Sequence, residues 1–251
     1  MISSKLKDKT AVIIGGGSWI GKAIAKKYAL EGAKVVIAGL TLSKLENTVA
    51  EIKQDGGTAS CELLDVRNED HVANFLNKVE QQHNKIDILV NSAAIYPRST
   101  IDNLSLSEWR EVIDVNLTGA FIALKYVSVI MKKHSGGKII FISSVAGEKL
   151  GISGFSHYGA SKAGMNGLMR AAAVELAKHN INVNCINPGN IINHERFNID
   201  PTEMGQMEKT IPIGRTGKPI DVANLALFLG SNESDFITGQ DYIIDGGEVI
   251  V

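Results

Sequence analysis

The sequence predicts an α/β fold, a doubly wound parallel sheet with helices on both of its faces. Short aliphatic runs alternate with amphipathic stretches along the chain. Each run is bounded by turn or polar residues, as a strand buried on both faces should be. A glycine-rich turn, Gly15-Gly16-Gly17-Ser18-Trp19-Ile20-Gly21, stands where the first such run meets the first amphipathic stretch. Repeated strand–helix alternation implies right-handed crossovers and therefore parallel strands.

Taken in order, the strands are predicted at residues 11–14, 35–38, 86–90, 139–142, 181–186 and 242–244. The helices are predicted at 20–31, 43–55, 69–84, 107–133, 158–179 and 219–229. No internal repeat, low-complexity tract or linker interrupts the 251 residues, so the chain is read as one domain, 1–251. The least regular segment, 190–217, carries Gly205, Gly214, Pro201 and Pro212 and follows a strand end. Ligands bind beyond the carboxyl ends of strands in such sheets, so this segment is expected to be a substrate lid.

Composition narrows the function. Apolar residues make up 44% and charged residues 21%, an ordinary globular balance. The 26 Lys and Arg against 27 Asp and Glu give a net charge of −1, with no basic surplus to neutralise phosphates, so nucleic acid is not the expected partner. The two cysteines, Cys61 and Cys185, have neither CxxC nor metal-ligand spacing. They read as buried, reduced thiols, and no metal is expected. The start of the chain has no secretory apolar region, and no stretch approaches the roughly 18 apolar residues of a membrane span. A cytoplasmic protein without a membrane partner is the expectation.

The chemistry sits in three places. A glycine-rich turn between strand and helix lets backbone N–H groups and a helix N-terminus meet a pyrophosphate. Tyr158 and Lys162 are four residues apart, which places phenol and ammonium on one helix face. A free tyrosine titrates near pH ~10, and a nearby cation lowers that value toward the working range of an acid or base. Ile142-Ser143-Ser144 precedes this pair and supplies a hydroxyl.

In this combination the chain resembles the short-chain dehydrogenase/reductases over nearly its whole length, about residues 5–247. The resemblance implies a single-domain Rossmann fold. It also implies an NAD(P)(H)-dependent oxidoreductase that interconverts a secondary alcohol and a ketone. The family turn reads Thr-Gly-x-x-x-Gly-x-Gly; Ile14 replaces its threonine and Trp19 its middle glycine. Gly15, Gly17, Ser18, Trp19, Ile20 and Gly21 are then the pyrophosphate site. Asp65, followed by Val66, matches the residue that hydrogen-bonds the adenine amino group. Asn91 and Ala93 match the family's Asn-Asn-Ala-Gly site, from which Ser92 and Ala94 depart. Pro188, Gly189 and Ile191 match the turn that meets the nicotinamide carboxamide, and Asn193 stands where a threonine usually binds the pyrophosphate.

By the same resemblance Tyr158 is the general acid/base, Lys162 lowers its pKa and binds the nicotinamide ribose, and Ser144 holds the substrate oxygen. Asn116 completes a water-linked proton path. Ser144 precedes Tyr158 by 14 residues, about one more than the family spacing, so the loop between them carries an extra residue. Ser143 would lengthen the spacing further.

Cofactor choice turns on the end of the second strand. An acidic residue there would bind the adenosine ribose and select NAD. Gly39, Leu40 and Thr41 occupy the place, with neither that carboxylate nor an arginine for a 2′-phosphate. Thr41 and Lys44 can contact a phosphate, and the balance favours NADP(H) over NAD(H).

The substrate pocket is expected to draw on Ser144, Ile95, Tyr96, Phe155, Asn190 and the lid, with Met204 and Met207 as an adaptable wall. Arg98, His157 and His194 are titratable neighbours, read first as surface or structural residues. The resemblance implies a homotetramer built on helices 107–133 and 158–179. Two other activities share these motifs: a nucleotide-binding regulatory module in which Trp19 impairs turnover, and a redox-linked epimerase or dehydratase.

Overall fold

The computed structural model describes residues 4–192 and 200–251. Seven parallel strands form one sheet in the order β3-β2-β1-β4-β5-β6-β7. They are β1 (Thr10–Ile14), β2 (Lys34–Gly39), β3 (Thr58–Leu63), β4 (Ile88–Asn91), β5 (Gly137–Ile142), β6 (Ile181–Pro188) and β7 (Asp241–Ile244). Helices α1 (Trp19–Leu30), α2 (Leu42–Gln54) and α8 (Pro219–Gly230) cover one face, and α3 (Glu69–His83), α5 (Gly119–Lys133) and α6 (Ser156–Leu176) the other. A separate apolar core fills each interface. Phe75, Val127 and Met169 lie in one, and Ile24, Leu45 and Ala226 in the other. Successive strand residues point to opposite faces, so Ile13 and Ile14 feed different cores.

β3 has no counterpart among the six predicted strands. It lies at the sheet edge and pairs only with β2. Its sequence, TASCEL, buries only Ala59 fully and lacks the continuous aliphatic run of a central strand. Cys61 lies on it and is partly exposed, correcting the expectation of two buried thiols; Cys185, in central β6, is buried. Both are free.

The predicted helix 107–133 is three segments: α4 (Leu106–Ile113), a π turn (Asp114–Thr118) and α5. Ser105 caps its start in a reciprocal capping box with Glu108. The run Leu106–Lys133 is long and apolar enough to cross a membrane, yet over half of its most apolar window is buried inside the fold. The segment read as least regular also differs. Within 190–217 the chain forms helix α7 (Pro201–Thr210), started by the Asp200 carboxylate, which accepts from the Thr202 amide. Proline at the first helical position has the required φ, which a reading of Pro as a breaker overlooks.

Helices α1 and α8 are stitched by one buried contact. The Tyr28 hydroxyl donates to the Ala226 carbonyl at 2.6 Å, and burial pushes its pKa up. Gly230 leaves the room: a Cβ there would lie 2.7 Å from the Tyr28 oxygen. Tyr28→Phe is expected to lower unfolding stability by about 1 kcal/mol, the typical net value of such a bond. Urea denaturation checks this, and an unmoved midpoint would contradict it.

Candidate active site

The sheet order reverses between β1 and β4, so the loops leaving these two strands diverge and leave a crevice. A cavity of about 290 Å³ opens there. Gly15, Ser18, Trp19 and Ile20 line it from the first turn, and Gly39, Leu40 and Thr41 from the end of β2. Val66, Ala93, Tyr96, Ser144, Tyr158, Lys162, Pro188 and Gly189 complete it from the remaining strand ends and from α6. Gly17, Gly21, Asp65, Asn91, Asn116, Asn190 and Ile191 do not line this cavity, and Phe155 borders a neighbouring hollow instead. Asn193 and His194 lie outside the described residues.

The first turn is shaped by contacts that exclude side chains. A Cβ on Gly21 would sit 2.2 Å from the Gly15 carbonyl oxygen, and one on Gly15 would sit 2.7 Å from the Ala93 amide nitrogen. Trp19 departs from this economy. Its φ is 51°, in the left-handed region, where an L residue costs roughly 1–2 kcal/mol. Its indole lies 6.2 Å from the Tyr96 ring. Tyr96 in turn lies 6.0 Å from the Tyr158 ring, edge-on, and Phe155 meets Tyr158 at the same distance.

Two observations test whether a dinucleotide fits. α1 begins with an extended Ser18 that makes no side-chain cap, and its first turn holds no acidic residue. Its positive helix end, with no carboxylate beside it, therefore suits an anion. At the end of β4, both polar atoms of the buried Asn91 carboxamide lack a partner among the described residues. Buried polar groups are rarely left so. The residues present fit the group.

The catalytic candidates converge. Ser144 faces Tyr158 and hydrogen-bonds it, while its oxygen accepts from the Ala146 amide at 3.1 Å. The Ser143 hydroxyl instead donates to the Lys162 carbonyl at 3.1 Å, which ties β5 to α6. The loop after Ser144 can press onto α6 because residue 147 is glycine: a Cβ there would lie 2.5 Å from the Lys162 carbonyl carbon. The Lys162 ammonium is buried, donates to the Ile142 carbonyl at 2.7 Å and lies 5.6 Å from the Tyr158 ring centre. Asn116 sits in the π turn and clamps the β4 loop. It accepts from the Ile95 amide at 2.8 Å and donates to the Ile95 carbonyl at 2.9 Å and to Ser161 Oγ at 3.1 Å. Ser161 passes the link on by donating to the Tyr158 carbonyl at 2.7 Å.

Burial dominates the electrostatics. It pushes the Tyr158 phenol up to about 12, against the smaller opposing pull of the Ser144 hydrogen bond. Burial likewise brings Lys162 down to about 8. The phenol is therefore raised where the lysine was expected to lower it, because desolvation of the phenolate dominates. At neutral pH the pair is a neutral phenol beside an ammonium.

Two partners escape a sequence reading. Arg67 grips the Asp65 carboxylate with its guanidinium, Nη2 to Oδ2 at 2.6 Å and Nε to Oδ1 at 2.9 Å. That clamp holds the Asp65 carboxyl below the usual carboxylate range. The separation of two residues was visible in the sequence. Glu248 is different: its carboxylate accepts from the Asn190 side-chain amide at 2.5 Å and from its backbone amide at 3.3 Å. Fifty-eight residues separate them, and no local pattern announces the pair.

Comparison with known proteins agrees with this geometry. A family model described as Enoyl-(Acyl carrier protein) reductase matches residues 16–248. A 3-oxoacyl-[acyl-carrier-protein] reductase of Thermotoga maritima is 37% identical over 246 residues, covering 98% of this chain and all of that one. The chain belongs to the short-chain dehydrogenase/reductase family. Galactitol 2-dehydrogenase of Agrobacterium fabrum is 36% identical over 97% of this chain and 98% of its own. Among solved structures, a 7α-hydroxysteroid dehydrogenase complexed with NADH and a 7-oxo bile acid superposes with a TM-score of 0.93. It is 33% identical, with 98% of this chain and 96% of that one covered. The chain is accordingly an oxidoreductase of CH–OH and keto groups that uses a nicotinamide cofactor.

Lys162 provides a direct test of the electrostatics. Its folded pKa, about 8, lies below its ordinary value of 10.5. Between these values the unfolded chain binds the extra proton, so stability gains a positive slope with pH. The destabilisation by this residue is full below pH 8 and is relieved as pH rises toward 10.5. NMR of protein labelled with ¹³C at lysine Cε should show one resonance titrating near pH 8 and missing in Lys162→Met. A lysine set with no resonance that titrates below the ordinary value of 10.5 would contradict the burial argument.

Proposed function

We propose that this single-domain chain reduces a ketone to a secondary alcohol, and runs the reverse reaction, with Tyr158 as the general acid/base. The observation that carries the reading is the convergence of Ser144, Tyr158 and Lys162 on one cavity bordered by the glycine-rich turn. The bound nicotinamide supplies or accepts the hydride. As charge grows on a carbonyl oxygen, the neutral Tyr158 phenol donates its proton and the Ser144 hydroxyl donates a hydrogen bond. The neighbouring Lys162 ammonium favours the phenolate left behind. In oxidation the proton returns along the same bond. Asn116 contributes by holding Ile95 and Ser161, which places both the β4 loop and the Tyr158 turn of α6.

The turn at Gly15 to Gly21, with Ser18 and Ile20, would hold the pyrophosphate, and Pro188 and Gly189 the nicotinamide end. Neither Gly39 nor its neighbours in the lining bring a carboxylate against a 2′-phosphate, and Thr41 and Lys44 are exposed beside that place. This supports NADP(H) over NAD(H). Tyr96 and Ser144 would face a small alcohol or ketone, with Asn190 fixed at the margin by Glu248.

Titrating NADPH and NADH into wild type and Tyr158→Phe, followed by nicotinamide fluorescence, tests both statements. NADPH is expected to bind more tightly, and the variant to bind it normally while losing roughly 10²–10⁴-fold in turnover. Wild-type-like turnover in the variant would remove Tyr158 from the role. A homotetramer is proposed as well. Phe121 and Val129 on α5 and Val174 on α6 are exposed apolar side chains on the two helices expected to pair between subunits. Light scattering is expected to give about four times the chain mass; a single-chain mass would refute the assembly.

A further inference from the structure

Five described residues other than glycine have a positive φ: Asp8, Trp19, Asn84, Ser135 and Asn180. Four are short polar residues, and Asn and Asp are those that visit this region most readily. Trp19 is a bulky aromatic side chain in a turn that is otherwise mostly glycine. A strained residue of this kind persists at sites where the strain serves a purpose.

Its position shows what the purpose is. Trp19 leaves the turn after β1, and Tyr96 lies on the loop after β4, so their rings meet across the crevice where the sheet order reverses. Both line the cavity read above as the dinucleotide site. Tyr96 is a firm abutment, because Asn116 clamps the backbone of the preceding Ile95 through both its amide and its carbonyl. The far edge of Tyr96 rests against Tyr158, so the aromatic series runs from the phosphate turn to the reacting phenol.

We propose that Trp19 is a clasp: its indole, seated on Tyr96 across the crevice, retains the bound dinucleotide and sets the rate at which it leaves. The proposal rests on the reading of this cavity as a nicotinamide site. A side chain that spans the mouth of a site acts mainly on dissociation, since entry and exit both need the indole displaced but only exit must break its contacts with the bound molecule. In many enzymes of this kind, release and not chemistry limits turnover.

The test is stopped-flow displacement of NADPH from wild type, Trp19→Gly, Trp19→Phe and Tyr96→Ala, with NADH used instead if it binds more tightly. Trp19→Gly relaxes the backbone and should fold, which a thermal melt verifies; Trp19→Phe keeps a ring on the same backbone and decides the matter should the glycine variant not fold. Dissociation is expected to quicken on the order of tenfold in Trp19→Gly and less in Trp19→Phe. Tyr96→Ala should match Trp19→Gly, and the double variant should be no faster than either, as coupled partners require. Unchanged dissociation in folded variants overturns the clasp, as does a loss confined to the association rate, which would make Trp19 a docking surface. Failure of wild type to bind either dinucleotide would instead remove the cavity reading on which the clasp stands.

Discussion

All seven strands run the same way, and the site depends on that single constraint. Parallel pairing forces each connection to cross a face of the sheet, so every strand delivers its carboxyl end to the same edge. The glycine turn, the β2 end, the Asn91 to Tyr96 loop, Ser144 and the Pro188-Gly189 turn therefore share one rim. The crossovers also bury both faces of the sheet, which provides the dry interior that shapes the chemistry.

That interior acts on Tyr158 and Lys162 in opposite ways. Removing water disfavours the charged form of each, raising the phenol and lowering the amine. The result is a neutral phenol with a cation beside it. The surrounding hydrogen bonds keep the two groups in register. Lys162 is held by the Ile142 carbonyl, Ser144 by the Ala146 amide, and the Tyr158 backbone by Ser161 and Asn116.

The relatives bear names that span acyl-carrier-protein, sugar-alcohol and steroid chemistry. In this chain Tyr96 and Phe155 flank the Tyr158 ring, Trp19 meets Tyr96, and Glu248 reaches back to Asn190.

Much of this was legible in the sequence because it is local. Aliphatic runs marked the buried strands, glycines marked the turn, and the four-residue step from Tyr158 to Lys162 marked one helix face. The edge strand β3 escaped because half of its side chains meet water, and α7 escaped because its opening proline looks like a break. What only the tertiary structure decided is whatever depends on burial or on distant partners. Ser144 rather than Ser143 turns to the phenol, Asp65 is spent on Arg67, and Asn190 is held from 58 residues away. The pKa order of Tyr158 and Lys162 belongs here too. Spacing shows that two groups can meet, but the energy of removing them from water depends on everything packed around them.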